Sequence, residues 1–340
     1  MEPRINRQWR LAARPQGMVG DEHFRWMEEP APEVTADGQV LVRTLYLSCD
    51  PTQRGWMARD TYLPAVRIGE VMRSFGVGRV VESRHPNYLE GELVQGLLGW
   101  QDYALLDGDS ARLSVVPEGV PIPIAMSALG ITGLTAYFGL LEIGRPEAGE
   151  TVVVSGAAGA TGSVAGQIAR LKGCRVVGIA GGPGKCRWLV DEARFDAAID
   201  YRSEDVAARL AELCPRGIDV YFDNVGGEIL DAALARLALK GRVVLCGAIA
   251  DYNRSELAPG PRHYLNLLLQ RGRMEGFIFT DYMPRFPEAI AQLGEWVAAG
   301  TLKYAVDIVN GLEAAPSAIN KLFTGANSGK LIVKISEEPA

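Results

Sequence analysis

The strongest constraint on the fold is an alternation of short apolar runs with helix-like segments between residues 151 and 247. The apolar runs lie at 151–155, 175–180, 197–200, 218–223 and 242–247. The segments between them show a helical apolar period and lie at 161–172, 185–193, 206–213 and 229–239. Runs that are apolar on both faces are typical of parallel strands covered by helices on both sides. With right-handed crossovers, this pattern predicts an α/β fold with a doubly wound parallel sheet.

The chain on either side of this region has a different texture. Residues 1–122 contain β-like runs, at 39–47, 76–83 and 93–98 among others, separated by prolines and glycines. This part is predicted to form a compact all-β or barrel-like unit. Residues 127–143 are predicted to be helical with a break at Gly-Ile-Thr-Gly. Strands are predicted at 274–279, 304–309 and 330–335, and helices at 287–299 and 314–323.

Charge and cysteine content exclude several classes of function. A net charge of -6 argues against a nucleic-acid-binding protein, which normally has a basic excess. No apolar run reaches the roughly 18 residues that span a bilayer, and no secretory signal is recognisable, so no membrane partner is expected. The cysteines are odd in number and none are closely spaced, which favours a reducing compartment, the cytoplasm.

A glycine-rich turn follows the first apolar run directly. Gly156, Gly159 and Gly162 have the spacing G-x-x-G-x-x-G and lead straight into the helix-like segment. Small residues let the backbone approach a pyrophosphate, and the amides that open a helix stabilise its charge. We therefore predict a dinucleotide site here, because a strand before the motif and a helix after it are the context it requires. The alternative is a packing turn without a ligand.

The residues after the second strand bear on which nicotinamide cofactor is bound. An NAD-selective site carries Asp or Glu there, which accepts from the ribose 2′-hydroxyl. This chain has Gly-Gly-Pro-Gly at 181–184, followed by Lys185. Lys185 could pair with a 2′-phosphate as a point charge, or could be a solvated lysine at a helix start. The pattern favours NADP(H).

The motifs of metal and nucleophilic catalysis are missing from the sequence. The three histidines are far apart, none has metal-ligand spacing to Cys or Glu, and there is no Cys-x2-Cys. There is also no Gly-x-Ser-x-Gly elbow for acyl transfer. We predict no metal, and chemistry that depends on the cofactor and on positioning.

Four sequence blocks carry a family resemblance. They are LTAYFGLL at 134–141, GQIARLKGC at 166–174, YFDNVGGE at 221–228 and CGAIADYN at 246–253. With them the chain resembles the medium-chain dehydrogenase/reductase superfamily, in its zinc-free branch of prostaglandin reductases and alkenal double-bond reductases. The resemblance extends from about residue 37 to 335. Zinc members have Gly-His-Glu where this chain has Gly69-Glu70 preceded by Ile68, which agrees with the absence of a metal.

The resemblance implies two domains and a dimer. Residues 1–122, with 305–340 returning to them, would form a GroES-like substrate domain, and residues 123–304 a Rossmann NADP-binding domain. The cofactor would bind between the domains, and a homodimer would pair through the edges of the Rossmann sheets.

The resemblance also implies roles for individual residues. Gly159, Ala160, Thr161 and Gly162 would hold the pyrophosphate, and Lys185 and Tyr201 the 2′-phosphate. The ribose and nicotinamide would be lined by Asn224, Cys246, Gly247, Ala248, Ile249, Tyr252, Phe277, Ile278 and Phe279, with Asn327 reaching back from the tail. Tyr201 could instead be a surface aromatic residue and Asn224 a turn residue.

The implied reaction is NADPH-dependent reduction of the C=C bond of small electrophilic α,β-unsaturated aldehydes and ketones, with hydride delivered to the β-carbon. The resulting enolate needs a hydrogen-bond donor and a proton, which the resemblance assigns to Tyr252. Water is the alternative donor, in which case Tyr252 only packs over the cofactor. Quinone or enoyl-thioester reduction on the same scaffold, or NADPH binding without catalysis, are the alternative functions.

One segment departs from the family pattern. Where members commonly have Asp-Pro-Tyr-Met-Arg, this chain has Thr52 and Gln53 before Arg54, so an aromatic wall is lost and the physiological substrate is left open. Arg54 is predicted to form a salt bridge within the barrel or to orient an anionic group. Trp56, Met57 and Tyr62 are candidate lining residues.

Overall fold

The structure is a computed structural model that describes residues 4–111 and 113–337. Residues 1–3 and 338–340, the outer ends of the predicted substrate domain, lie outside the described residues. The strands, in chain order, are β1 Ile5–Leu11, β2 Phe24–Pro30, β3 Gln39–Ser48, β4 Phe75–Ser83, β5 Leu93–Leu97, β6 Tyr103–Asp107, β7 Ser114–Val115, β8 Thr151–Ser155, β9 Arg175–Ala180, β10 Ala197–Asp200, β11 Ile218–Asp223, β12 Leu237–Leu245, β13 Arg273–Gly276, β14 Val306–Asn310 and β15 Lys330–Lys334.

The α-helices are mostly short, apart from two of 12 and 13 residues that follow the first parallel strand and the last one. They are α1 Thr52–Ala58, α2 Ile122–Met126, α3 Ile131–Phe138, α4 Ala160–Leu171, α5 Pro183–Asp191, α6 Val206–Leu213, α7 Gly227–Ala235, α8 Leu265–Leu269, α9 Phe286–Ala298, α10 Ala315–Ala318 and α11 Asn320–Thr324. A π-helical turn, Gly139–Gly144, continues α3. No helix in the described part of the chain is long and apolar enough to cross a membrane.

The chain divides into two compact units. The first comprises Met1–Met126, Val306–Asn327 and Leu331–Ala340, and the second comprises Ser127–Ala305 and Ser328–Lys330.

The first unit is built on a mixed set of strands around an apolar core. Within the described residues, its larger sheet has the order β14-β15-β3-β4-β5-β7, with β6 also paired to β3. The pairs that β3 makes with β4, β6 and β15 are antiparallel. Trp56, Met57, Met72 and Trp100 are fully buried beside this sheet. Because Trp56 and Met57 are core residues, the prediction that they line a site is wrong, whereas Tyr62 is 44% exposed.

The second unit contains the predicted doubly wound sheet. In the described residues its strands have the order β10-β9-β8-β11-β12-β13, and every adjacent pair is parallel. The central strands β8 and β11 are buried almost throughout, as expected for strands covered by helices on both faces. The strand order reverses between β8 and β11, so the carboxyl ends of these strands flank a crevice where such sheets bind ligands.

The structure corrects several predicted boundaries. The helix predicted at 229–239 ends at Ala235, and β12 begins at Leu237, which pairs with Ile218. The apolar pattern of this segment fits a helix, but burial of Leu237 and Ala238 against the sheet selects a strand. The strand predicted at 274–279 ends at Gly276, because Phe279 begins a 3-10 turn. The helical region predicted at 127–143 is α3 followed by the π-helical turn.

Candidate functional site

The turn between β8 and α4, residues 156–162, is the centre of the site and is called the phosphate turn below. Gly156 has φ +57°, a left-handed conformation that favours glycine. A Cβ on Gly162 would lie 2.4 Å from the carbonyl oxygen of Gly156, so the turn needs a glycine there too. Helix α4 begins at Ala160 after Gly159, whose backbone is extended. The first amides of a helix have no acceptor within it, so they are available to an anion beside these partly exposed residues.

A piece of the tail borders the phosphate turn. Gly329 forms a parallel bridge with Gly159, and both residues belong to the second unit. Gly329 has φ +68°, and a Cβ there would lie 2.0 Å from the carbonyl oxygen of Ala305. Asn327, the tail residue predicted from the sequence, is buried and belongs to the first unit. Gly329 therefore lies in the same unit as the other residues predicted to bind the cofactor, whereas Asn327 lies in the first unit.

Lys185 and Tyr201 lie at neighbouring strand ends. Lys185 is in the first turn of α5, directly after β9, and Tyr201 follows the last residue of β10. A Cβ on Gly181 would lie 2.8 Å from the Tyr201 hydroxyl, so the phenol ring covers the turn after β9. The ring is still 45% exposed. A cation and a phenol thus border the same glycine-rich turn.

A carboxylate that the sequence analysis missed also reaches this turn, from the neighbouring strand. Asp200, at the end of β10, accepts a hydrogen bond from the amide of Gly182 at 2.7 Å and another from the amide of Arg202. The hydrogen bond from Gly182 is the main cause that lowers the pKa of Asp200, so the group is ionised at neutral pH. The signal in the sequence that could have identified Asp200 is its position as the last residue of an apolar run.

Asn224, directly after β11, holds the start of the phosphate turn. Its side-chain amide donates to the carbonyl oxygen of Ser155 at 2.7 Å, and its backbone amide donates to the Ser155 hydroxyl at 2.9 Å. The structure therefore gives Asn224 the role of a turn residue that lies beside the predicted cofactor site.

The loop at 246–252, called the Tyr252 loop, begins where β12 ends. The Tyr252 hydroxyl accepts a hydrogen bond from the amide of Ala248 at 3.3 Å and lies close to Gly247. Burial raises the pKa of Tyr252, so the phenol keeps its proton at neutral pH. Burial also raises the pKa of Cys246 to about 12, which keeps this residue a thiol. The loop therefore presents a neutral hydroxyl.

The last predicted segment follows β13. A Cβ on Gly139 would lie 2.3 Å from the Phe277 ring, so this ring packs on the π-helical turn. The ring of Phe279 stacks on Phe286 with centroids 5.8 Å apart. Both rings are used in packing, which leaves Ile278 and the backbone of the segment to contact a ligand.

These residues lie along one edge of the sheet. In the order of the strands, the carboxyl ends carry Tyr201, Lys185, the phosphate turn, Asn224, the Tyr252 loop and the segment 277–279. Open parallel sheets bind ligands at this edge, next to the point where the strand order reverses. In the described residues, no group of three His, Cys, Asp or Glu side chains is placed to hold a metal ion.

In the first unit, the structure shows which groups the side chains of Arg54 and Thr52 contact. The guanidinium of Arg54 is buried and donates to the carbonyl oxygens of Pro15 and Gly17, which are neutral partners. The Thr52 hydroxyl lies 3.1 Å from the hydroxyl of Tyr62. An exposed aromatic side chain is thus held next to Thr52.

Comparison with known proteins identifies the family. An N-terminal domain of oxidoreductase matches residues 7–114, and a zinc-binding dehydrogenase domain matches residues 160–296. The chain is 44% identical to the NADPH-dependent curcumin reductase of Escherichia coli over 338 residues, which covers 97% of each chain. It is 40% identical to the NADP(+)-dependent 2-alkenal reductase of Nicotiana tabacum over 310 residues, 90% of each chain. This chain belongs to the medium-chain dehydrogenase/reductase superfamily.

A solved structure agrees with this assignment and with the fold. The crystal structure of CurA in complex with NADPH from Vibrio vulnificus has a TM-score of 0.92 and 42% identity, and the match covers 98% of this chain and 100% of that one. The resemblance to the zinc-free reductase branch is confirmed, as is the fold class of a Rossmann sheet with a GroES-like domain. The second matched domain is named for zinc binding. The curcumin reductase and the 2-alkenal reductase, in contrast, are named for NADPH and NADP(+).

Proposed function

We propose that this medium-chain reductase uses NADPH to reduce the C=C bond of α,β-unsaturated aldehydes and ketones. The observation that carries the proposal is the arrangement of a phosphate turn, a cation and a neutral tyrosine along one edge of a Rossmann sheet. Support comes from near full-length similarity to a curcumin reductase and a 2-alkenal reductase, both named for NADP-dependent activity.

The residues present fit this cofactor. The amides of Ala160, Thr161 and Gly162 open α4 and would hold the pyrophosphate, because nothing within the helix accepts from them. Lys185 and the Tyr201 phenol would meet the 2′-phosphate. The Oδ1 atom of Asp200, the nearby carboxylate, already accepts from the backbone amides of Gly182 and Arg202. The bound cofactor supplies a hydride to the β-carbon of the substrate.

Tyr252 would donate a hydrogen bond to the enolate that hydride transfer produces, and would supply the proton that the enolate needs. Its hydroxyl accepts from the amide of Ala248, so its own proton points away from that amide toward another acceptor. An enolate oxygen is such an acceptor, and a donor there lowers the energy of the developing charge. The raised pKa of Tyr252 keeps this donor protonated at neutral pH.

We assign the cofactor to the second unit, which contains most of the domain predicted at 123–304, and substrate selection to the first, which contains most of 1–122 and 305–340. Tyr62, held by Thr52, would contact the substrate. Tyr62→Ala should raise KM for an enone severalfold and leave the Kd for NADPH unchanged. Leu89→Ala, at a site 61% exposed in the same unit, is the matched control. A KM equal to that of the wild type would remove Tyr62 from the substrate site.

We further propose that the protein is a cytoplasmic homodimer. Helix α8 exposes Leu265, Leu268 and Leu269 by 56 to 71%, and it contacts β12, the strand paired with the edge strand β13. A second copy would cover both the leucines and the strand edge. Leu268→Asp should shift the mass in sedimentation from dimer to monomer, and Leu89→Asp should not. A monomeric wild-type protein would contradict the proposal.

Free cysteines agree with a reducing compartment, which cell fractionation would test.

The substrate class is tested by comparing turnover on a simple alkenal, a quinone and a crotonyl thioester. NADPH oxidation, followed by its absorbance, should be fastest with the alkenal or a related enone, and the product should be saturated at the former C=C bond. Faster turnover of the quinone or of the thioester would select one of the alternative reductases on this scaffold. No oxidation with any electrophile would indicate a protein that binds NADPH without catalysis.

A further inference from the structure

The carboxyl group of Asp223 lies at the centre of a buried hydrogen-bond cluster. Asp223 is the last residue of β11 and is 1% exposed. Its Oδ1 atom accepts from the hydroxyls of Ser155 and Tyr221 and from the amides of Val225 and Gly226, at 2.8 to 3.1 Å. Several donors that converge on one oxygen are typical of an acceptor that carries charge or strong polarity.

The other carboxyl oxygen of Asp223 is placed differently. Among the described residues, Oδ2 is a buried atom that has no hydrogen-bond partner. Leaving such an atom unpaired carries a desolvation penalty relative to a satisfied one. A residue that served packing alone could avoid this cost, so the carboxyl group is better explained by what Oδ1 and the backbone of Asp223 hold in place.

Asp223 joins the ends of three parallel strands. Through Oδ1 it holds Ser155, the last residue before the phosphate turn. Through its carbonyl oxygen it accepts from the amides of Cys246 and Gly247, which begin the Tyr252 loop, at 2.9 and 3.0 Å. Ser155, which leads into the turn that would hold the cofactor phosphates, and the loop with the proposed proton donor are therefore both hydrogen-bonded to one residue.

Ser155 is hydrogen-bonded both to the side chain of Asp223 and to Asn224, the next residue along the chain. Its hydroxyl donates to Asp223 and accepts from the amide of Asn224, while its carbonyl oxygen accepts from the side chain of Asn224. The hydroxyl is thus fixed by a donor and an acceptor, and β8 and β11 cannot shift relative to each other without breaking these bonds.

We propose that Asp223 is a positioning residue that sets the distance between the phosphate turn and the Tyr252 loop, and thereby the efficiency of hydride transfer. The inference rests on the proposed function. A positioning error of about 1 Å can cost about 100-fold in rate, so loss of the tie should lower the rate of the chemical step as well as cofactor binding.

The test compares Asp223→Ala, Asp223→Asn, Ser155→Ala and Tyr221→Phe. The Kd for NADPH is measured by calorimetry, and the hydride-transfer rate by single turnover at saturating NADPH and enone. Asp223→Ala and Ser155→Ala should each raise Kd and lower the rate by about 10-fold, toward the lower end of such effects. Asp223→Asn should recover most of both losses, because its amide oxygen can accept the same bonds. Tyr221→Phe removes one donor to Oδ1 but leaves the bond between Ser155 and Asp223 intact, so it should change Kd and rate less than either alanine variant.

A double variant separates positioning from a general loss of stability. Ser155→Ala combined with Asp223→Ala should be no worse than Asp223→Ala alone, because both substitutions break the same tie. Additive losses, or a folded Ser155→Ala protein with wild-type Kd and rate, would overturn the inference. If Asp223→Ala does not fold, Ser155→Ala and Asp223→Asn still decide the question.

Failure of the proposed function gives a different result. A wild-type protein that binds NADPH but reduces no enone would contradict the function, while Ser155→Ala would still weaken NADPH binding. A wild-type protein that reduces enones, with Ser155→Ala and Asp223→Asn unchanged in Kd and rate, would contradict only the role of Asp223.

Discussion

At the scale of single residues, the proposed chemistry depends most on Tyr252. Its hydroxyl is oriented by the amide of Ala248 and kept protonated by burial. Tyr252→Phe should lower kcat for an enone by about 10- to 100-fold, at the lower end of general-acid effects. Steady-state kinetics would measure this, with Tyr304→Phe as a control at an exposed tyrosine. An unchanged kcat would assign the proton to water.

The pH dependence follows from the same side chain. A phenol titrates near pH 10 in water, and burial raises the pKa of Tyr252 above that value. A raised pKa means that the protonated, active form persists to higher pH, so kcat should stay level through neutral pH and fall only above about pH 10. Pre-steady-state rates across this range would test it. A fall in the wild-type rate between pH 7 and 9 that Tyr252→Phe abolishes would contradict the prediction, because Tyr252 would then lose its proton in that range.

Cofactor selectivity is a second property of single residues. Lys185 is the cation at the start of α5, beside the Tyr201 ring, and a 2′-phosphate would pair with it. Lys185→Ala should raise KM for NADPH about 10-fold or more and change KM for NADH little, because NADH lacks the phosphate. Arg187→Ala, an exposed cation on the same helix, is the control. Equal changes for both cofactors would remove Lys185 from the 2′-phosphate site.

At the scale of elements, the phosphate turn requires glycine for steric reasons. Gly162→Ala places a Cβ 2.4 Å from the carbonyl oxygen of Gly156, and the backbone must move to relieve it. The Kd for NADPH, measured by calorimetry, should rise by about 10-fold or more, because the amides proposed to hold the phosphates move with the turn. Gly294→Ala, inside α9 with no atom within 4 Å of the new Cβ, should bind NADPH normally and gain up to about 1 kcal/mol in stability. Equal affinities in the two variants would show that the turn does not hold the cofactor.

The elements were the part of the fold that sequence pattern predicted best. Strands β8 to β11 follow from short apolar runs, since local burial on both faces determines them. The segment after Ala235 was assigned wrongly, because Leu237 and Ala238 fit a helical period and only pairing with Ile218 makes them a strand. The break at Gly276 was missed for the same reason: it depends on tertiary packing of Phe279.

The site was predictable to the extent that residues follow strands. Lys185 was proposed because it follows the second predicted strand, whereas Tyr201, Asn224 and Tyr252 were proposed from the family resemblance. The structure places all four at one edge of the sheet, where the carboxyl ends of the parallel strands meet. The contacts made by Asp223 and Asp200 could not be predicted, since a carboxylate at the end of an apolar run does not reveal which amides it meets. The wrong assignment of Trp56 and Met57 has a similar cause, because core and lining residues share the same apolar character.

At the scale of the whole molecule, one unit carries nearly all of the predicted cofactor residues. Membership of the medium-chain dehydrogenase/reductase superfamily agrees with this, as does similarity to a structure solved with NADPH. The proposed roles of the two units give separate readouts: substitutions at the phosphate turn and at Lys185 should change cofactor affinity, and substitutions at Tyr62 should change substrate affinity alone.

Calorimetric titration of the purified, folded protein with NADPH and with NADH tests the central claim most directly. We expect one NADPH per chain, bound more tightly than NADH, with the preference abolished by Lys185→Ala. Absence of binding of either reduced cofactor to the folded wild-type protein would contradict the assignment of the phosphate turn and the function built on it.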